Sequence, residues 1–292
     1  VQQQFAAMAE EIQTATGQRQ TVEAIASGFL AIAIDNMANA IKKISVQRGY
    51  DVSDYTLCCF GGAGGQHACQ LADALGMKRV LIHPYAGVLS AYGMGLADRR
   101  LLREISIEQP LSEAVLPTLR DRLDELAADA QQELEAQGTE DITAVQRLDR
   151  VHLRYAGTDS ALIVAAADGP TMTRAFEEQY RQRYGVIMAD KELVVEAVSV
   201  EVIGQTEQPA EPTAIASDAA LPDPIANVPV YTTQQWHDTP VFERDRLQAG
   251  HTIDGPALII ESTGTNMVEP GWRVTVSDRQ DLFMTQVASI DL

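Results

Sequence analysis

The sequence predicts an α/β protein, and three observations carry that expectation. Residues 55–60 and 79–83 are apolar runs of the fully buried strand type, separated by a glycine-rich loop and a helix-length segment. Residues 21–48 carry apolar side chains at helical spacing, residues 111–137 are dominated by Leu, Ala and Glu, and both these and residues 171–184 read as helices. From Val228 onward, short alternating runs are punctuated by Gln248-Ala-Gly250, Asp254-Gly-Pro256 and Glu269-Pro-Gly271, the pattern of a small all-β unit.

Taken in order, residues 3–14 read as a helix that Gly17 and Gln18 interrupt. Thr21 is the expected N-cap, with Glu23 in the first turn, of a long helix to about Arg48. Ile25, Phe29, Ile32, Met37, Ile41 and Ile44 form its apolar stripe, and Gly49 suits the position after its end. The strand at 55–60, the helix from His67 to Leu75 closed by Gly76, and the strand at 79–83 ended by Pro84 make a βαβ unit. Its short crossover predicts parallel strands. Residues 89–97, rich in Gly, Ala and Ser, suit a closely packed helix, and Asp98-Arg99-Arg100 reads as a domain exit. Residues 150–155 and 161–165 flank Gly157-Thr-Asp-Ser and predict a hairpin, followed by a helix at 171–184 and a strand at 193–203. Residues 206–227, rich in Pro, Ala and Asp, read as a linker. The expected divisions are 1–104, an α+β domain at 105–205, the linker at 206–227 and a small β domain at 228–292.

Composition narrows the function. A chain of 292 residues, 46% hydrophobic, can bury a sizeable core. A net charge of −19 repels phosphate backbones and anionic lipid, so neither nucleic acid nor membrane is an expected partner. No uninterrupted apolar run reaches the ~18 residues of a membrane span. The opening Val1-Gln-Gln-Gln-Phe5 carries no secretory pattern and starts in helix-like sequence without Met, as expected of a piece of a longer chain. Cys58, Cys59 and Cys69 show no CxxC spacing, so neither a disulfide framework nor a zinc site is expected and a reducing cytoplasm is the natural setting.

Chemistry concentrates at Gly61-Gly62-Ala63-Gly64-Gly65. A glycine-rich loop between a strand and a helix lets a ligand approach the backbone, and the helix start offers free N–H groups. The pattern is neither a P-loop nor a dinucleotide fingerprint, since no Lys-Ser/Thr follows and GxGxxG is absent. On spacing alone, a tight strand–helix turn packed on a neighbour is an equal reading.

The wider string extends the reading. Phe60-Gly-Gly-Ala-Gly-Gly-Gln-His-Ala-Cys69 and Ile82-His-Pro-Tyr-Ala-Gly-Val-Leu-Ser-Ala-Tyr-Gly-Met-Gly-Leu-Ala-Asp98 resemble the hydantoinase A/5-oxoprolinase family. So do Asn36-Met-Ala-Asn-Ala-Ile-Lys42, Ser45-Val-Gln-Arg-Gly-Tyr50, Trp236-His-Asp-Thr-Pro-Val-Phe-Glu-Arg-Asp245, Gly255-Pro-Ala-Leu-Ile and Pro270-Gly-Trp272. Gly-Gly-Gln-His-Ala-Cys is similar to the 5-oxoprolinase branch. The resemblance implies part of an actin/Hsp70-like ATPase lobe, with Gly61, Gly62, Gly64 and Gly65 as its adenosine-side loop and the phosphate hairpins and catalytic residues preceding residue 1. It implies ATP with Mg²⁺, hydrolysis of 5-oxo-L-proline to L-glutamate through phosphorylation of the amide oxygen, and a hydantoinase B-like subunit or fused domain for the hydrolytic step. An oligomer is expected. An N-methylhydantoinase, an acetone or acetophenone carboxylase subunit, and a non-catalytic assembly module are the alternatives.

Individual residues read two ways. His67, in the first turn after the loop, is either a neutral hydrogen-bonding site residue or a structural cap. Asn36, with Asn39 and Lys42 along the long helix, reads as an adenosine contact or as a helix–helix hydrogen bonder. Arg48 reads as a C-terminal cap ahead of a nucleotide contact. His83 reads as a loop-satisfied histidine, Cys69 as a small buried residue ahead of a reactive thiol, and Cys58 and Cys59 as core. Trp236 and Trp272 read as core or partner contacts.

Overall fold

A computed structural model describes residues 1–138, 142–207 and 220–287. Along the chain lie α1 (Gln2–Thr16), α2 (Val22–Ser45), β1 (Leu57–Cys59), α3 (Ala68–Leu75), β2 (Arg79–Ile82), α4 (Leu89–Leu96), β3 (Arg99–Pro110) and α5 (Leu116–Ala136). They are followed by β4 (Ile142–Tyr155), β5 (Leu162–Ala165), α6 (Gly169–Tyr184), β6 (Leu193–Thr206), β7 (Ala226–Thr232) and β8 (Gln235–Glu243). The chain ends in β9 (Thr252–Asp254), β10 (Ala257–Glu261), β11 (Gly264–Val268), β12 (Trp272–Val276) and β13 (Leu282–Gln286). The fold class is mixed α/β, as expected. The chain forms two compact units, one of Val1–Tyr92 with Ala210–Leu292, the other of Gly93–Pro209.

In the first unit, Thr21 caps α2 as its sequence predicts, its hydroxyl accepting from the Ala24 N–H at 3.1 Å. The βαβ unit also forms: β1 and β2 are parallel, with Cys59 opposite Ile82. The C-terminal strands do not stand apart as the expected small β domain. β13 pairs antiparallel with β2, Leu282 opposite Ile82, and the five-stranded order is β1-β2-β13-β12-β9. A second sheet, β11-β10-β8-β7, combines a parallel β8–β10 pair with two hairpin pairings. The physical reason is burial: Leu282, Met284, Val274 and Trp272 share one core with Val80, Ile82 and the apolar face of α3.

α2 is long and apolar enough to cross a membrane by length and composition, although no uninterrupted apolar run stood out. Small residues account for the difference: Gly28 and the alanines at 24, 26, 31, 33, 38 and 40 raise its apolar content without bulk. Ile34 and Ala38 pack into the core beside α3, while Phe29, Ile32 and Ile44 are 52%, 60% and 63% exposed.

The second unit is a two-layer sandwich. Its antiparallel sheet runs β3-β6-β4-β5, and α5 and α6 supply the apolar layer. α5 buries Leu116, Leu119, Leu123, Ala127, Ala130 and Leu134 as a helical stripe, within the segment expected to be helical from its Leu, Ala and Glu content. Tyr155, Phe176 and Tyr180 close the core edge-to-face, with ring centroids 5.0 and 4.9 Å from Tyr155. The opposite sheet face carries ion pairs such as Arg150–Glu201 (2.9 Å) and Arg154–Glu108 (2.7 Å). The predicted hairpin appears as β4–β5. The expected exit at residues 98–100 and the boundary at 104 instead lie in and before β3, an edge strand whose Arg and Glu side chains disguise it in the sequence. Of the linker expected at 206–227, residues 208–219 lie outside the described residues, and its ends enter β6 and β7.

Candidate functional site

β1 ends at Cys59 and the loop turns at once. Gly61 adopts φ +90°, a left-handed conformation that favours glycine, and a Cβ there would meet open space. Its N–H donates to the Ala86 carbonyl at 2.8 Å, tying the loop to the segment after β2. The Gly64 N–H then donates to Gly61 O and the His67 N–H to Gly64 O, both at 3.1 Å, winding the chain into α3.

The other loop glycines are set by close approach. A Cβ on Gly62 would lie 2.6 Å from the Thr263 carbonyl oxygen, and one on Gly65 would run into the Asn266 amide oxygen. Gly64 backs onto Cys59 Sγ, which its Cβ would approach to 2.8 Å. The β10–β11 hairpin therefore lies directly against the loop. The two readings of the glycines divide by position: Gly62, Gly64 and Gly65 make room for neighbours, whereas Gly61 serves the turn and faces open space.

His67 begins α3 without capping it through its side chain. Its ring Nδ1 is buried with no hydrogen-bond partner among the described residues, a cost of about 1–3 kcal/mol for a polar atom left unsatisfied. Asn36 is exposed on α2, as are Asn39 and Lys42, and among the described residues no hydrogen bond joins Asn36 to the loop. The structure thus gathers Gly61, Gly62, Gly64, Gly65 and His67 in one turn and leaves Asn36 on a separate helix.

His83 is satisfied by its own loop, Nδ1 accepting from the Tyr85 N–H at 3.0 Å, and its ring lies beside Tyr85 and Tyr92. Cys69 is buried, donates to Met267 O at 3.5 Å, and burial pushes its thiol pKa far up, so it is held as an unreactive thiol. Cys59 is pushed up to about 11, also by burial. Cys58 corrects the core expectation: it is exposed, on the outer face of the short strand β1. Trp272 is core and Trp236 is exposed against Tyr231.

Two buried polar clusters escaped sequence reasoning. In the first, Arg244 Nη1 lies 3.2 and 3.0 Å from the two Glu261 carboxylate oxygens, and its Nη2 donates to Ile82 O and Gln280 O at 3.0 and 3.1 Å. Burial lowers the Arg244 pKa, and the Glu261 charge opposes that shift. Asn266 joins from β11, donating to Glu261 Oε1 at 3.1 Å. Tyr85, Ser262 and Thr263 line a cavity of ≈ 430 Å³ with this pair. In the second, Glu269 accepts from Gln70 Nε2 at 2.5 Å and from Thr232 Oγ at 2.6 Å, and burial raises its carboxyl pKa above the usual range. Phe242-Glu-Arg-Asp245 was the available signal for the first cluster, but only the burial of Arg244 and its bonds to Glu261 and Ile82 O show that it points inward.

Comparison with known proteins fits this architecture. The Hydantoinase/oxoprolinase family model matches residues 1–103, and the Hydantoinase/oxoprolinase C-terminal domain matches residues 108–287. The 5-oxoprolinase 1 of Arabidopsis thaliana is 36% identical over 267 residues, covering 88% of this chain and 20% of the plant protein. Caprolactamase subunit alpha of Pseudomonas jessenii is 30% identical over 269 residues, covering 88% of this chain and 38% of that subunit. The crystal structure of the ATP-dependent caprolactamase from that organism superposes with a TM-score of 0.83 at 27% identity, over 97% of this chain and 42% of that one. The chain spans about a fifth of the length of the 5-oxoprolinase it matches. With both halves matched in the same order as the two structural units begin, the chain belongs to the hydantoinase/oxoprolinase family, in the portion that carries its C-terminal domain.

Proposed function

We propose that this chain contributes the nucleotide-side loop of an ATP-dependent cyclic-amide hydrolase whose substrate is 5-oxo-L-proline. The conversion is 5-oxo-L-proline + ATP + two waters to L-glutamate + ADP + phosphate. When bound, ATP would supply the phosphoryl group that activates the amide oxygen, and Mg²⁺ carried with it would offset charge on that group. The observation that carries the nucleotide assignment is the loop itself. Gly61 faces open space at positive φ, the start of α3 follows, and the buried His67 Nδ1 has no partner among the described residues.

Those residues suit a nucleotide. Gly61, Gly62, Gly64 and Gly65 would line it, with the Gly61 and Gly64 N–H groups already committed to Ala86 O and Gly61 O, and His67 would offer a ring nitrogen. Asn36 on α2 would complete the contact from the neighbouring helix. The substrate assignment is supported by identity to the plant 5-oxoprolinase and by the Gly65-Gln66-His67-Ala68-Cys69 string. The name of the Pseudomonas relative, a subunit alpha, supports an assembly of more than one subunit; a hydantoinase B-like subunit or fused domain would perform the hydrolytic step there. The three unpaired cysteines suit a reducing cytoplasm.

A second reading, a larger lactam as substrate, is favoured by the superposition on the caprolactamase. Substrate-dependent ADP release separates the two. The assembly containing this chain is supplied with ATP and, in turn, 5-oxo-L-proline, caprolactam, N-methylhydantoin, and acetone with bicarbonate. The proposal expects the largest kcat/KM with 5-oxo-L-proline. ADP release that no cyclic amide stimulates would overturn it.

A further inference from the structure

We infer that Asn266, backed by Glu261 and Arg244, is a positioning residue for the glycine loop; the inference rests on the nucleotide reading of that loop. Asn266 lies on β11 and is 2% exposed. Its amide oxygen occupies the space where a side chain on Gly65 would begin, so the amide sets how closely the loop approaches the hairpin. Its Nδ2 is directed away, donating to Glu261 Oε1 at 3.1 Å and to Ile259 O at 3.4 Å.

Glu261 is in turn fixed by Arg244, and Arg244 ends on the carbonyl of Ile82, the last residue of β2. Ile82 is the parallel partner of Cys59, the last residue of β1. One polar chain therefore runs from the amide that abuts Gly65 to the end of β2, the strand whose last residue pairs with the last residue of β1. Thr263, at the tip of the same hairpin, crowds Gly62 with its carbonyl and leaves no room for a Cβ on Gly87.

A buried ion pair is a weak source of stability, because removing two charges from water offsets much of their attraction. Well-packed apolar residues would hold the hairpin as firmly. What they would not do is direct an amide at one loop residue while gripping the carbonyl at the end of the neighbouring strand. The chain acts by fixing the loop's backbone donors in place before the nucleotide arrives.

The test is ATP affinity by calorimetric titration, together with steady-state kinetics in the assembly proposed above. Asn266→Ala is expected to raise the Kd and KM for ATP about tenfold, equivalent to roughly 1.4 kcal/mol. The KM for the cyclic amide and kcat at saturating ATP stay within about twofold. A purely structural role would instead lower the active fraction, and so kcat, at unchanged ATP KM; that result would overturn the inference. Glu261→Gln keeps shape and an acceptor for Asn266 but removes the charge facing Arg244. It is expected to raise ATP KM about threefold, and it carries the test if Asn266→Ala does not fold. An ATP KM equal to the parent's in Glu261→Gln overturns the inference. Gly65→Ala separates this from the underlying reading. If neither Gly65→Ala nor Gly61→Val changes ATP affinity, the nucleotide assignment falls. If they weaken it and the Asn266 and Glu261 variants do not, only the positioning role falls.

Discussion

The two units reach the same end, a closed apolar core, by opposite routes. The second unit is one contiguous stretch, Gly93–Pro209, whose longest-range pairing, Arg99 opposite Gly204, still lies within that stretch. The first unit is made from two separate stretches, and its central pairing joins Ile82 to Leu282. Local periodicity announces most elements of the second kind of unit, its edge strand β3 excepted. The first depends on strands whose partners no local pattern announces. The first unit also carries the glycine loop, so the candidate site sits in the part of the molecule with the longest-range contacts.

That contrast predicts two thermal transitions. Trp272→Ala empties the core of the first unit and removes the indole N–H that donates to Asp73 at 3.3 Å. Phe176→Ala does the same for the aromatic cluster of the second. Each is expected to cost about 3–5 kcal/mol. In differential scanning calorimetry each variant should lower one transition and leave the other in place. A single transition lowered equally by both would show that the units unfold as one and would break the comparison.

Legibility follows the same line. The βαβ segment, the Thr21 cap, the α5 helix and the β4–β5 hairpin were all readable, because each is encoded within about 30 residues of sequence. β3 was not, since as an edge strand it alternates charged side chains that mimic a surface loop. The place of β9, β12 and β13 in the first sheet was not, since period-2 alternation identifies a strand but not its partner. At the candidate site the glycines were visible from sequence, but the reason for three of them was not. Gly62 and Gly65 answer to Thr263 and Asn266, about two hundred residues on, and Gly64 to Cys59.

A smaller effect sharpens the comparison at a helix end. Thr21→Ala removes the side-chain acceptor for the Ala24 N–H and is expected to cost about 1 kcal/mol. It should appear only in the transition of the first unit, measured by the same calorimetry.

The smallest predicted effect is a slope with pH. Burial raises the Glu269 carboxyl above its ordinary range, while hydrogen bonds from Thr232 and Gln70 pull the other way, and Asp73 adds to the rise. The folded chain therefore holds this proton more tightly than the unfolded chain. The associated stability is complete below the ordinary carboxylate range and is lost as pH rises through the folded value. Glu269→Gln, whose amide can satisfy both partners, should remove that loss. Urea titrations at about pH 5 and about pH 7.5 should show the variant gaining on the parent as pH rises. A constant difference at both values would mean that Glu269 titrates normally.

The pairing of β13 with β2 has a consequence for how the chain is made. Residue 82 leaves the ribosome roughly 10–40 s before residue 282, at the usual ~5–20 residues per second. During that interval β2 has a partner on one side only, and the hairpin that braces the glycine loop does not yet exist. The contiguous second unit can close within the same interval. The order of synthesis thus leaves the glycine loop to be organised last, and a ribosome stalled before β10 would present an apolar strand edge as its most aggregation-prone surface.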